Sequence, residues 1–259
     1  MGSALRIKDM IRAAYESRMP ALALTDHMNM SGAVRFYDLC MENGILPVLG
    51  IEAELEPFCA KAKVSDELDG QERKSFTSVI LAKNNAGYSA LCSILSDAYA
   101  ASGEGGRPAI KKEQLKDSGG DLIFLTGGSE GEVYDLLAKG AVLEATEVLG
   151  EYVRLFGKGN VYLELQYHGR EEEIAILKSQ TDLAKTVGIP VVATNECRYL
   201  RKEDAGILGL LEAIDQGKTV DDPRELTPKN NQYYFRSPDE MCRIFQNHPE
   251  ACDNTLAIA

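Results

Sequence analysis

Residues 20–32 read PALALTDHMNMSG, an apolar run from Ala21 to Leu24 that stops at Thr25-Asp26-His27. A strand ending on an Asp-His pair offers a carboxylate oxygen and an imidazole nitrogen together, which is a donor set for a divalent cation. The same residue types form turns and cap helices, because an Asp side chain accepts backbone N–H bonds. Both readings of Asp26 stand on the residues alone. His27 divides in the same way between ligation or catalysis and a structural hydrogen bond. Glu52 sits inside the apolar stretch LPVLGIEAEL, where an unpartnered carboxylate is costly. That marks it as a site candidate, with a local Lys or Arg as the alternative partner.

Further along, VYLELQ closes on Tyr167-His168, DLIFLTGG on Gly127-Gly128, and IPVVATN on Glu196-Cys197. His168 precedes Gly169 and is equally placed to cap the acidic helix that follows. A metal site needs at least three protein ligands in fixed geometry, and spacing across separate strands has low specificity for one.

The elements that must position these residues alternate between strand and helix. Apolar periodicity predicts helices at 4–18, 32–43 (with Ser31 as N-cap), 87–100, 171–186, 203–215, 238–247 and 249–259, with two more across 130–156. Strands are expected at 21–25, 46–55, 76–82, 121–128, 161–166 and 189–195. Loops are expected at 61–75, 102–108 and 217–231. Short apolar strands separated by helices point to an α/β fold with a mainly parallel sheet covered on both faces, closed as a barrel or open. In a βα barrel the loops beyond the strand ends converge over one mouth, where the candidate residues would meet.

Composition narrows the function classes. Against 28 basic residues stand 40 acidic ones, a net charge of −12, so the bulk surface is not a nucleic-acid footprint. No apolar run approaches the ~18 residues of a membrane helix, and no membrane partner is expected. No N-terminal signal region is visible, and Met1-Gly2-Ser3 reads as a native start or a cloning scar. The six cysteines form no CxxC pair, which fits free thiols in a reducing cytosol and gives no support to a zinc ribbon.

Five stretches in order, MPALALTDHMNMSGAVRFYDLCMENGILPVLGIE, VILAKNNAGYSAL, VYLELQYHG, GIPVVATNECRYL and GKTVDDPRELTPKNNQYYFRSPDEM, carry a family resemblance. The chain resembles the polymerase-and-histidinol-phosphatase (PHP) domain, in the version at the N-terminus of bacterial DNA polymerase III α subunits. The resemblance implies a distorted seven-stranded βα barrel over residues 1–202, here with the first strand and its His-x-His motif missing. Residues 203–259 would be a helical extension leading toward absent polymerase domains. The strands flanking the gap would be ALALT and PVVAT.

In active relatives, a cluster of divalent metals at the barrel mouth hydrolyses phosphoesters. In some polymerases the domain resembles a built-in 3′–5′ exonuclease. In others it braces the polymerase and docks a separate proofreading exonuclease. His27 matches the histidine of the family's Thr-Asp-His motif and Glu52 the glutamate after the third barrel strand. Glu196 stands where the family usually has Asp. Thr77 replaces a His, Gly128 a Cys, and Arg198 the His of an Asp-x-His pair.

These departures lead to an expectation of no catalytic residue and no cofactor in this chain, with Arg198 paired to Glu196 or Glu52. A residual site would use His27, Glu52 and Glu196 for Zn²⁺ or Mn²⁺. The parent resembles a DNA-directed DNA polymerase, a cytoplasmic nucleotidyltransferase using Mg²⁺. Its partners would be the remaining α-subunit domains, DNA and a proofreading exonuclease.

Overall fold

The computed structural model describes residues 3–59, 75–103, 106–215, 217 and 230–259. Most of the expected loops at 61–75 and 217–231, and part of the one at 102–108, lie outside the described residues.

Six strands form one sheet in the order of the chain. They are β1 (Ala21–His27), β2 (Leu46–Leu55), β3 (Phe76–Ala82), β4 (Leu122–Leu125), β5 (Val161–Leu165) and β6 (Val191–Ala193). The helices are α1 (Ile7–Glu16), α2 (Ala33–Glu42), α3 (Asn85–Ser102), α4 (Glu132–Ala138), α5 (Val142–Phe156), α6 (Glu171–Val187), α7 (Gly206–Asp215), α8 (Pro238–Ile244) and α9 (Pro249–Ile258). The fold is α/β, with strands β4 and β6 shorter than the apolar runs that announced them.

Strand direction departs from a purely parallel sheet. β1 and β2 are parallel, as are β4 with β5 and β5 with β6, but β3 runs antiparallel to both its neighbours. An apolar run reports burial, not direction, so FTSVILA gave no warning of this. A second correction concerns α2. Its N-cap is Gly32, which has no side chain to offer, and the Ser31 N–H is taken by Asn29 Oδ1 at 2.8 Å.

Alternation along the strands separates two faces. On one, Ile51, Ala53, Leu55, Ile80, Phe124 and Leu163 join the main core beneath α3 to α6. Phe124 stacks on Tyr152 and Phe156 with centroids 4.1 and 4.8 Å apart. Burying each such side chain stabilises by about 1.5–3 kcal/mol. On the other face, Val79, Leu81, Leu125, Tyr162 and Val192 form a separate apolar cluster, with Ile258 of α9 packed against it. A third cluster, Met10, Ile11, Phe36 and Cys40, glues α1 to α2.

β1 and β6 are the two edges of the sheet. The segments beside these edges nevertheless meet: Ala4 N–H donates to the Arg198 carbonyl at 2.8 Å, and Ser3 Oγ donates to it at 3.1 Å. The sheet therefore curls, and residues just before α1 lie against residues just after β6. At that edge α9 packs on β6, with Asn254 Nδ2 donating to Val191 O at 2.7 Å. Among the described residues no helix is long and apolar enough to cross a membrane.

Candidate functional site

The β1–β2 register sets the first pair of site residues. His27 is the last residue of β1 and lies opposite Glu52. Its Nδ1 donates to Glu52 Oε1 at 3.0 Å, and its Nε2 faces Glu54 Oε1 at 3.8 Å. Glu52 and Glu54 share a face because strand side chains alternate. Glu54 is held in turn by Ser75 Oγ at 2.5 Å and by Thr77 Oγ1, its register neighbour, at 3.3 Å. The bond to Glu52 raises the His27 pKa against the opposing effect of burial, helped by the charges of Glu52 and Glu54. Asp26 beside it is also raised, by desolvation and then by the Glu52 charge.

The same face continues through the ladder. Glu52 lies opposite Val79, Val79 opposite Leu125, and Leu125 opposite Tyr162. Two residues beyond Tyr162 comes Glu164, on that same face and almost wholly buried. Its carboxylate accepts from Gly127 N–H at 2.8 Å, from Gln166 Nε2 at 3.1 Å, and from the Thr194 hydroxyl. Burial raises its pKa; Thr194, Gly127 and Gln166 lower it, and the Glu52 charge raises it again.

Two glycines make room for this arrangement. At Gly127 (φ +85°) a Cβ would sit 1.8 Å from the Thr77 carbonyl, so no side chain fits. At Gly128 (φ +51°) a Cβ would sit 2.0 Å from Gln166 Oε1. The space a side chain at position 128 would need is thus filled by the Gln166 carboxamide.

Beyond β6, the Arg198 guanidinium lies on Glu196, with Nε to Oε1 at 2.5 Å and a second contact through its terminal nitrogen. Its carbon lies 5.3 Å from the Tyr233 ring centre. Burial would lower the Arg198 pKa, but Glu196 outweighs it and Tyr233 and Glu52 add to the rise. Arg198 is also fixed by its backbone, its N–H donating to Tyr233 O at 2.8 Å.

His168 takes the other of its two readings. It is buried, and its Nδ1 and backbone N–H donate to Glu173 at 3.0 and 2.6 Å. Glu173 also accepts from Arg170 N–H at the start of α6, at 3.3 Å. His168 is thus part of the helix cap, not of a donor set with His27.

A metal cluster does not fit these residues. Among the described residues no three His, Cys, Asp or Glu side chains converge to hold an ion. His27 is committed to Glu52, and Glu196 is committed to a cation already in the chain. Among the described residues, His27, Glu52 and Glu196, the three that a residual site would use, are not gathered as one ligand group.

Residues 1–168 match the family described as PHP domain. The chain belongs to the PHP-domain family. Over its whole length it is similar to proteins named DNA polymerase III subunit alpha. It is 34% identical to that of Haemophilus influenzae over 99% of the chain, and 36% identical to that of Pasteurella multocida over 98%. Against that of Escherichia coli it is 35% identical over 96%. The chain spans about a fifth of the length of these relatives, 21%, 21% and 20% respectively.

Three residues that shape this PHP mouth escaped the sequence reading: Glu54, Glu164 and Gln166. Glu164 carried a usable signal, a carboxylate at the centre of the apolar run VYLEL, the same ground on which Glu52 was singled out. Glu54 lies in the same apolar stretch as Glu52 and carried that signal too, whereas Gln166, followed by Tyr167 and His168, carried none.

Proposed function

We propose that this PHP domain serves a bacterial replicative DNA polymerase as a structural brace and docking module, with a mouth that no longer hydrolyses phosphoesters. The similarity to α subunits along the entire chain supports the parent assignment. On that reading the parent transfers nucleotides to a primer end with Mg²⁺ in the cytoplasm. This domain contacts the remaining α-subunit domains and a separate proofreading exonuclease. Residues 1–202 form the barrel and 203–259 its helical extension. The seventh strand of the family's barrel belongs between β6 and β1, the two sheet edges whose flanking segments meet at Arg198 and Ala4.

The observation that carries the loss of catalysis is the Arg198–Glu196 pair. A guanidinium has no lone pair to donate and repels a divalent cation at close range. It supplies fixed positive charge where active relatives keep an Asp-x-His pair for metal. The degenerate pocket then comprises Asp26, His27, Glu52, Thr77, Gly128, Glu196 and Arg198, with His168 outside it.

The alternative is a metal-dependent phosphoesterase or 3′–5′ exonuclease. Glu52 and Glu54 beside His27, with the Glu52 charge also felt by Asp26 and Glu164, favour it. Equilibrium dialysis against Zn²⁺ or Mn²⁺ with elemental analysis, run beside hydrolysis of single-stranded DNA, separates the two. We expect substoichiometric metal and no turnover. Turnover that His27→Ala abolishes would overturn the proposal.

A further inference from the structure

The end of the sheet opposite the mouth holds a surface cavity of about 470 Å³. Tyr15, Glu16, Arg18, Met19, Asn43 and Ile45 line it. These residues precede β1 and β2, whose later residues carry His27 and Glu52, so roughly 20 Å of strand separates the cavity from the mouth.

Two helices end at this cavity. α1 stops at Glu16 and α2 at Glu42, and neither has a basic residue in its last turn. The last turn of a helix carries partial negative charge and is stabilised by a cation, so a closing glutamate works against it. The final carbonyls are also left over. Four residues beyond Glu16 stands Pro20, which has no N–H to give. Four beyond Glu42 stands Leu46, whose N–H donates to Pro20 O at 2.9 Å instead. Among the described residues no hydrogen bond reaches the Glu16 or Glu42 carbonyl. Arg18 is the only basic side chain in the lining, against two carboxylates and two helix C-termini. The approach to the cavity is apolar. Val34, Tyr37 and Met41 stand at i, i+3 and i+7 on α2 and are 66%, 46% and 56% exposed. Leu46 at the start of β2 and Tyr15 on α1 are exposed as well.

The geometry points to this stripe and cavity as a docking surface for an amphipathic basic segment of a partner protein. The segment lays its apolar side chains along α2 and places a Lys or Arg in the cavity. Charge selects that occupant. The chain carries −12 overall, and the cavity adds two helix C-termini to Glu16 and Glu42, so a cation gains there and an anionic segment is repelled. Each glutamate weakens its own helix, and a bound cation offsets that loss. The inference rests on the docking role proposed above and gives that role a surface and a partner chemistry. Metal content and turnover are read at the mouth and segment binding at the opposite end, so the two readings fail separately.

The probe is a fluorescein-labelled amphipathic helix built of Leu and Lys, titrated with the 259-residue chain and read by anisotropy. A helix of the same pattern built of Leu and Glu runs beside it. The Lys probe is expected to bind and the Glu probe to stay free. Glu16→Lys with Glu42→Lys should weaken binding by about tenfold or more. Glu171→Lys with Glu172→Lys makes an equal change of charge at the exposed start of α6, and should weaken it by less than about threefold. Tyr15→Ser with Met41→Ser should weaken binding while leaving the charge unaltered. A lysine suits a helix C-terminus better than a glutamate, so the melting temperature of Glu16→Lys with Glu42→Lys should hold or rise. A fall would mean that the glutamates serve the fold and not a partner, and would overturn the inference. Equal weakening by the two charge variants would reduce the attraction to net charge and overturn it too, as would equal binding of the two probes. A chain that self-associates in sedimentation, and that Glu16→Lys with Glu42→Lys returns to monomer, would make a second copy the occupant and sink the partner segment.

Discussion

His27 and Glu52 face each other across the last register pair of β1 and β2, with Nδ1 3.0 Å from Oε1. The pairing follows from strand register, so a one-residue slip of one strand would leave the two side chains on opposite faces. It raises the His27 pKa above 6.5 through the Glu52 hydrogen bond. A raised folded-state value means that the pair's contribution is complete below the unfolded pKa and disappears as pH climbs through the folded one. The ring side chain is 56% exposed, so the contribution is small, under about 1 kcal/mol after screening. Ring-proton NMR titration should give a His27 pKa above the ordinary value, and Glu52→Gln should bring it down. An unmoved pKa in Glu52→Gln would refute the assignment of cause.

Arg198→His should convert part of the mouth toward metal binding. It removes the fixed cation from Glu196 and adds a lone pair. Zn²⁺ affinity measured by calorimetry should rise by about tenfold or more. The stability cost of losing a pair with Arg198 38% exposed should stay within about 1 kcal/mol. If Arg198→His binds no more Zn²⁺ than the parent chain, the guanidinium is not what keeps metal out.

Gly128→Cys should fail to restore a ligand and should cost stability. The new Cβ would meet the Gln166 carboxamide at 2.0 Å, and the φ of +51° is unfavourable for a side chain. Gln166 cannot swing away freely because Glu164 and Thr194 hold it. A loss of roughly 1–3 kcal/mol is expected in denaturant unfolding. Gln166→Ala in the same background should recover part of it. No recovery would place the strain in the backbone alone.

Glu164→Ala strands the Gly127 N–H and the Gln166 and Thr194 donors in a buried place. A cost of at least about 1–3 kcal/mol is expected. Glu164→Gln should be far milder at neutral pH. The folded-state pKa is raised by burial, so ionisation costs the wild-type chain stability as pH rises above the unfolded value of 4.5. Equal losses for the two variants in urea unfolding would contradict this.

The fold and site were legible in the sequence to different depths. The runs ALALT, FTSVILA and VYLELQ announced strands because four or more apolar residues between turn signals have few other uses. Their direction was not announced, and β3 was taken as one more parallel unit. His27 and Glu52 were legible as strand-end residues, whereas their mutual bond depends on a register that only the folded ladder fixes. His168 looked the same as His27 from sequence. What separates them is Glu173, five residues on, which draws His168 into the cap of α6.

That capping pair gives the sharpest test of how α6 is held against the sheet. Burial would raise the Glu173 pKa, but the His168 ring and the His168 and Arg170 backbone donors outweigh it and lower the pKa below 4.5. A lowered value means that the stabilisation is complete above 4.5 and is lost as pH falls through the folded pKa. Glu173→Gln should therefore flatten the fall in stability between about pH 5 and about pH 3 relative to the unaltered chain. Glu173→Ala, which leaves the buried His168 ring and backbone N–H groups without their acceptor, should cost about 1–3 kcal/mol at neutral pH. Urea midpoints across that pH range measure both. A wild-type profile as flat as that of Glu173→Gln would mean that His168 and Glu173 are not held together in solution. α6 would then be anchored by its apolar face alone.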